Sequence, residues 1–241
     1  MRTIIWFAYF WTYLAGTMLI MRKVRKLRAE GKTQEHDEKV RLHVKNWASR
    51  LLHLAGAKLT VSGLENIPEG PCVFVANHQG YFDIPLILSG LDIPHPIIAK
   101  KEIRKIPLVR DWMEELNCLF IDRENPRQAM DCLKEAGHLL ADGYSVVIFP
   151  EGTRSKGGEI KEFKGGSVRV ATRAKVPIVP VCIEGTYKLM EQNNYWIHPA
   201  KVSMKVLPAI PTQEMSREEI KALDEKLRAM ITEERNKMKE Q

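Results

Sequence analysis

Seven short apolar runs, most of them rich in β-branched residues, recur along the chain from about residue 57: KLTVS, CVFVA, PIIA, CLFI, SVVIF, IVPVCI and the alternating VSMKV. Stretches of helical length separate most of them. One starts at Ile84, one covers PLVRDWMEEL, one runs from Pro126 to Asp142 behind Asn125, and one covers SVRVATRA. Asn125-Pro126 reads as a helix start, because proline fits the first helical position, where its missing N–H costs nothing. Near the end, SREE (Ser216–Glu219) fits a capping box, and Ile220, Leu223, Leu227 and Ile231 line one face of the helix that it opens. Strands interleaved with helices predict an α/β fold: a mixed, partly parallel sheet flanked by helices.

Open α/β sheets place ligands beyond the carboxyl ends of their strands. Three such ends are rich in polar groups here: NHQGYFD, IDRENP and FPEGTRSKGG. In the first, His78 and Asp83 have the chemistry of a general base and its orienter, since a carboxylate bonded to Nδ1–H leaves Nε2 free to take a proton. The spacing alone is weak, because seven His and eight Asp in 241 residues give about 0.2 such pairs by chance. Asp83 also reads as an N-cap before Ile84-Pro85. Gly80 permits the bend that a strand-to-helix turn needs. In the third loop, Gly152 allows close backbone approach, Arg154 offers a fork of donors suited to phosphate, and Glu151 can accept from a hydroxyl. Arg123 reads as a second cation at a strand end, or as the ordinary partner of Asp122. Lys100 and Lys101 read as a third, or as solvated charge.

The net charge is +7, and residues 22–50, with ten basic and four acidic side chains, hold +6 of it. The remainder is near neutral, which argues against a nucleic-acid groove. The basic segment follows IIWFAYFWTYLAGTMLIM (Ile4–Met21), 18 residues without a charge. As one helix this run is about 27 Å long, close to the thickness of a bilayer core. Two geometries fit: a span with the main domain on the cytoplasmic side of the inner membrane, and an anchor lying in one leaflet, since six aromatics crowd between Trp6 and Tyr13. A second stripe, Val40, Val44, Trp47, Leu51 and Leu54, belongs to that anchor or packs on the core. The expected division is therefore a helical membrane-anchoring segment over residues 1–56 and an α/β domain over residues 57–241. Cys72, Cys118, Cys132 and Cys182 each sit in an apolar run and read as buried thiols. No zinc pattern, P-loop or GxGxxG is present, so no metal or cofactor is expected.

NHQGYFD resembles the N-H-x-x-x-x-D motif of the glycerolipid acyltransferases. LFIDR, FPEGTRS and VPIVPV (Val176–Val181) are similar to that family's second, third and fourth blocks, in the same order, over about residues 57–190. Four blocks in order are a specific signal. Within the family the chain resembles the bacterial-type 1-acyl-sn-glycerol-3-phosphate acyltransferases, also called lysophosphatidic acid acyltransferases. One departure is NCLF, where the family often has a glycine near Cys118. The resemblance implies that His78 is the base and Asp83 its orienter. It implies that Lys100, Arg123 and Arg154 hold a phosphate, and that Glu151 and Gly152, with Thr153 in the same loop, fix a glycerol. The implied substrates are lysophosphatidic acid and an acyl thioester, acyl-CoA or acyl-carrier protein, with membrane lipids as further partners. VPIVPV reads as the wall of an acyl groove or as a plain core strand. Two alternatives remain at this level: a sister enzyme acting on glycerol-3-phosphate or another lysophospholipid, and a non-catalytic protein that binds anionic lipid through residues 22–50.

Overall fold

In the computed structural model, residues 1–93 and 95–240 are described. The expected strands are present: β1 (Ala57–Ser62), β2 (Val73–Ala76), β3 (Ile98–Lys100), β4 (Leu119–Ile121), β5 (Val146–Ile148), β6 (Ile178–Glu184) and β7 (Ala200–Val206). Five of them form a sheet in the order β1-β7-β6-β2-β5, and β3 pairs with β4 beside it. A bridge between Ile97 and Val147 brings β3 alongside β5. Among the strands of the described residues β6 and β7 pair antiparallel and the other ladders are parallel, so the sheet is mixed and partly parallel as expected.

The helices are α1 (Arg2–Gly16), α2 (Met18–Ala29), α3 (Thr33–Ala55), α4 (Asp83–Gly90), α5 (Val109–Glu115), α6 (Pro126–Ala141), α7 (Gly166–Ala174) and α8 (Arg217–Lys239). Their starts follow local chemistry. Asn125 Oδ1 accepts the N–H groups of Arg127 and Gln128, both at 3.1 Å. Ser216 and Glu219 form the reciprocal capping box. At the departure noted near Cys118, Asn117 takes a φ of 57°. Asparagine tolerates that left-handed conformation better than most residues, which explains how the chain does without glycine there.

The alternation along the strands sorts side chains onto two layers. In β2, Phe74 and Ala76 face a core shared with α1, α3, α4 and α5, while Val73 and Val75 face one built with α6, α7 and α8. Each large apolar side chain buried this way contributes about 1.5–3 kcal/mol. β6 lies in the middle of the sheet and is buried throughout. VPIVPV is therefore a core strand.

The uncharged N-terminal run is not one straight helix. α1 and α2 meet at Thr17 with a bend of 46°. The Thr17 hydroxyl donates back to Leu14 O at 2.6 Å and accepts from the Trp112 indole at 3.0 Å. A hydroxyl that bonds its own preceding turn next to a glycine is an ordinary cause of such a kink. No single helix among the described residues is long and apolar enough to cross a membrane, although α1 and α2 together pass by length and composition.

One side of this pair belongs to the core. Trp6 donates to Leu51 O at 2.9 Å and packs edge-on against Phe82, with ring centroids 5.4 Å apart. The stripe on α3 also packs inward: Val40, Val44 and Leu51 are buried, with Trp47 and Leu54 against them. The other side of α1 and α2 exposes Ile4, Ile5, Phe7, Trp11, Met18 and Leu19. Part of the basic excess is neutralised internally, because Arg25 and Arg28 pair with the buried Glu115 at 3.0 and 3.4 Å.

Candidate active site

β2 ends at Ala76, and the chain that follows is tied down by its own side chains. The Asn77 amide donates to Ile183 O at 2.9 Å and accepts Ile183 N at 2.8 Å, fastening the strand end to β6. Gln79 does the same one step further on, donating to Glu184 Oε2 at 2.8 Å and accepting Gly185 N at 2.9 Å. The glycine at position 80 serves a close approach, since a Cβ there would stand 2.5 Å from Glu191 Oε2.

The bend brings His78 and Asp83 together. His78 Nδ1 lies 2.6 Å from Asp83 Oδ2. The same oxygen accepts the N–H groups of Gln79 at 2.6 Å and Gly80 at 2.9 Å, and the Thr186 hydroxyl bonds the other oxygen. Asp83 is fully buried and is the first residue of α4; the capping position is Phe82. Its carboxylate therefore orients the histidine and closes the loop, and it does not cap the helix. An ionised carboxylate only accepts, so Nδ1 carries the hydrogen that faces it, and in the neutral imidazole the lone pair is then on Nε2. The imidazole is wedged against Phe149, with centroids 4.3 Å apart, and its side chain is 18% exposed.

The third loop docks on the first. Ser155 N bonds His78 O at 2.7 Å and Lys156 N bonds Gln79 O at 3.0 Å. Glu151, expected to accept from a substrate hydroxyl, already accepts a backbone N–H on each oxygen: His78 N at 2.7 Å and Lys161 N at 3.0 Å. Burial pushes its carboxyl pKa up, against the pull of those two hydrogen bonds. Glu151 thus holds the histidine's backbone in place. Gly152 has a φ of 69°, and a Cβ on it would meet Lys164 Nζ at 3.3 Å and Arg123 Nη1 at 3.4 Å. Arg123 and Lys164 consequently converge over the glycine, far apart as they are in sequence. Thr153 is exposed beside it.

The Arg154 guanidinium lies over the Tyr81 ring, 3.7 Å from its centroid, and its Nη1 is buried without a hydrogen-bond partner among the described residues. Lys100 ends β3 opposite Ile121 of β4, at the same end of the sheet as Arg123, and pairs with Glu102 at 3.4 Å. Lys101 pairs with Asp122 at 2.7 Å, which leaves Arg123 without the neighbour first assigned to it. An apolar cavity of about 150 Å³ lies behind α4, lined by Leu14, Trp47, Ile84, Leu88 and Trp112 among others.

These features bring together, beyond the strand ends, an oriented histidine and several cations. The family model described as Acyltransferase matches residues 58–184, which contain His78, Asp83, Arg123, Arg154 and Lys164. The chain belongs to the acyltransferase family. It is 40% identical over 148 residues to a chloroplastic 1-acyl-sn-glycerol-3-phosphate acyltransferase of Brassica napus, covering 61% of this chain and 42% of that one. A 1-acyl-sn-glycerol-3-phosphate acyltransferase of Borreliella burgdorferi is 32% identical over 181 residues, 75% of this chain and 72% of its own. The chain thus spans less than half the length of the plant relative. The crystal structure of the 1-acyl-sn-glycerophosphate acyltransferase PlsC from Thermotoga maritima superimposes with a TM-score of 0.87 at 29% identity, over 100% of this chain and 95% of that one.

Three residues that line or support this candidate site lie outside the motif reading: Lys164, Thr186 and Glu191. Lys164 had one signal, the glycine pair after it in FKGGS. Thr186 and Glu191 had none, because they reach the site through the packing of the segment after β6. All four cysteines are free and buried, and burial pushes the thiols of Cys118 and Cys182 up to about 12. None is available as a nucleophile.

Proposed function

We propose that this protein transfers the acyl group of an acyl thioester, acyl-CoA or acyl-carrier protein, to the sn-2 hydroxyl of lysophosphatidate, giving phosphatidate and a free thiol. The observation that carries the reading is the His78–Asp83 pair at 2.6 Å. The names of the relatives, all 1-acylglycerophosphate acyltransferases, support the choice of acceptor.

As the hydroxyl oxygen attacks the thioester carbonyl, its proton passes to His78 Nε2. Asp83 stabilises the imidazolium that results. The tetrahedral intermediate collapses, the C–S bond breaks, and the electron pair leaves on sulfur, which takes the proton from His78. A thiol with a pKa near 8.5 is a good leaving group, so no stronger acid is required. Arg154, Arg123 and Lys164 hold the phosphate, with Lys100 at the same edge, while Gly152 and Thr153 lie along the glycerol. Glu151 acts one step back, through the His78 backbone. The acyl chain enters the apolar cavity beside Ile84, the residue after Asp83.

The exposed apolar side of α1 and α2 seats in one leaflet, with Arg22 and Lys23 at the headgroups of the cytoplasmic face. This reading supplies the lipid acceptor directly from the membrane. The test is a panel assay: purified protein, acyl-CoA or acyl-carrier protein, and lysophosphatidate, glycerol-3-phosphate or other lysophospholipids. Phosphatidate formed fastest from lysophosphatidate is the expected result. A preference for another acceptor, or no transfer to any, overturns the reading.

A further inference from the structure

Glu191 is used by no step of the mechanism above, yet it is built into the site. It follows β6 by a short 3-10 turn (Thr186–Leu189), and its side chain is 0% exposed. Its Oε1 accepts the N–H of Tyr81 at 2.7 Å and stands 3.7 Å from Arg154 Nη1. Arg154 lies over the ring of that same Tyr81. Glu191 Oε2 and Arg154 Nη1 are both buried, and neither has a hydrogen-bond partner among the described residues. Buried polar atoms are nearly always paired, so this loose pair leaves the guanidinium's donors largely unspent, while the open carboxylate oxygen, itself an acceptor, is no seat for a phosphate. Gly80 makes room for the Glu191 carboxylate, because a Cβ there would stand 2.5 Å from Oε2.

We infer that Glu191 is a positioning residue for the phosphate-binding arginine. Through the Tyr81 N–H it fixes the ring, and through its charge it holds Arg154 against that ring, with Nη1 turned inward and the exposed part of the guanidinium left to the incoming phosphate. The geometry suits holding rather than sequestering. A charge-assisted N–H···O bond is about 2.7–2.9 Å long, whereas this pair stands at 3.7 Å. A phosphate oxygen at full bonding distance therefore wins the guanidinium. Burial also pushes the Glu191 pKa up, which softens its repulsion of the phosphate. The inference rests on the lysophosphatidate reading for the identity of the phosphate's carrier, but not for the arginine's geometry.

The test uses the full chain in detergent with three variants, Glu191→Ala, Glu191→Gln and Tyr81→Leu. Each is measured by kinetics with acceptor and donor varied in turn, and by calorimetric titration with inorganic phosphate. Glu191→Ala is expected to raise the acceptor KM by about tenfold or more, the lower end for a lost charge-assisted contact. It should weaken phosphate binding in parallel and leave the donor KM unchanged. Glu191→Gln keeps an oxygen for the Tyr81 N–H but removes the charge beside Arg154, so its acceptor KM should fall between those of wild type and Glu191→Ala. Tyr81 is exposed, so Tyr81→Leu tests the stacking face without risk to folding and should resemble Glu191→Ala. Wild-type acceptor KM and phosphate affinity in Glu191→Ala, or a common rise in donor and acceptor KM, overturns the role. If Glu191→Ala does not fold, Tyr81→Leu decides. If the wild type does not acylate lysophosphatidate, the function reading fails, and the phosphate titrations alone still decide whether Glu191 positions Arg154.

Discussion

The carboxylate of Glu151 accepts the backbone N–H of His78 at 2.7 Å, joining the loop after β5 to the loop after β2 at the histidine itself. The other oxygen accepts Lys161 N at 3.0 Å, so the same side chain ties a third piece of chain to the site. Replacing Glu151 with Gln turns one of these acceptors into a donor that faces an N–H. We expect a loss of about 1–3 kcal/mol in stability, the cost of a buried unsatisfied pair, with a fall in kcat because His78 is displaced. Denaturant melts and turnover on the same preparation check both.

Glu151 also sets a sign for the pH dependence of stability. Burial raises its pKa above the ordinary value of 4.5. In the window just above that value the folded chain binds more protons than the unfolded chain, so this group's contribution to stability falls as pH rises through it. The Glu151→Gln variant lacks the titration. Its stability should therefore drop less steeply than wild type as pH rises above 4.5, measured as the difference between two melting series.

His78→Ala should lose about 10²–10⁴ in rate, the usual range for removal of a general base, and should fold normally, since the side chain's one hydrogen bond is to Asp83. Asp83→Asn should lose both rate and stability. Asp83 Oδ2 serves three donors and Oδ1 a fourth, and an amide places N–H groups against some of them. If Asp83→Asn turns over normally and is only less stable, the carboxylate is purely structural.

Arg154→Lys should lower kcat/KM for the phosphate-bearing acceptor by about 10- to 150-fold, the worth of one charge-assisted contact. The planar guanidinium can lie on Tyr81 with Nη1 buried and still offer its exposed donors; an ammonium offers no such face. The donor's apparent affinity should not change. A defect confined to the donor would place Arg154 at the thioester instead.

The two sides of α1 make opposite predictions. Trp6→Ala removes a buried indole bonded to Leu51 O and should cost about 3–5 kcal/mol. The double substitution Ile5→Ser with Leu19→Ser touches exposed positions and should leave the melting curve within about 0.5 kcal/mol. It should nonetheless weaken binding to anionic vesicles by about tenfold or more, since each apolar side chain contributes up to 1.5–3 kcal/mol when buried. Unchanged vesicle partitioning would show that this face does not meet the membrane.

By itself the sequence determined the elements whose causes are local. Asn125-Pro126 and Ser216–Glu219 start helices because the capping groups are neighbours in the chain, and the period of CVFVA and VSMKV sets which side chains face which layer. It also marked the three polar strand ends, because an α/β sheet collects them on one edge. Tertiary structure alone decided what each polar group there does. Glu151 looked free to meet a substrate, but backbone N–H groups already hold both of its oxygens. Thr186 reaches Asp83 across 103 residues, and Glu191 reaches Tyr81 across 110. Nothing in the neighbourhood of Glu191 announces that contact. The uncharged run of 18 residues read equally well as a span or a one-leaflet anchor. Hydropathy counts apolar groups without saying what they pack against, and only the folded chain shows Trp6 and Leu14 turned inward while Ile5 and Leu19 remain outside.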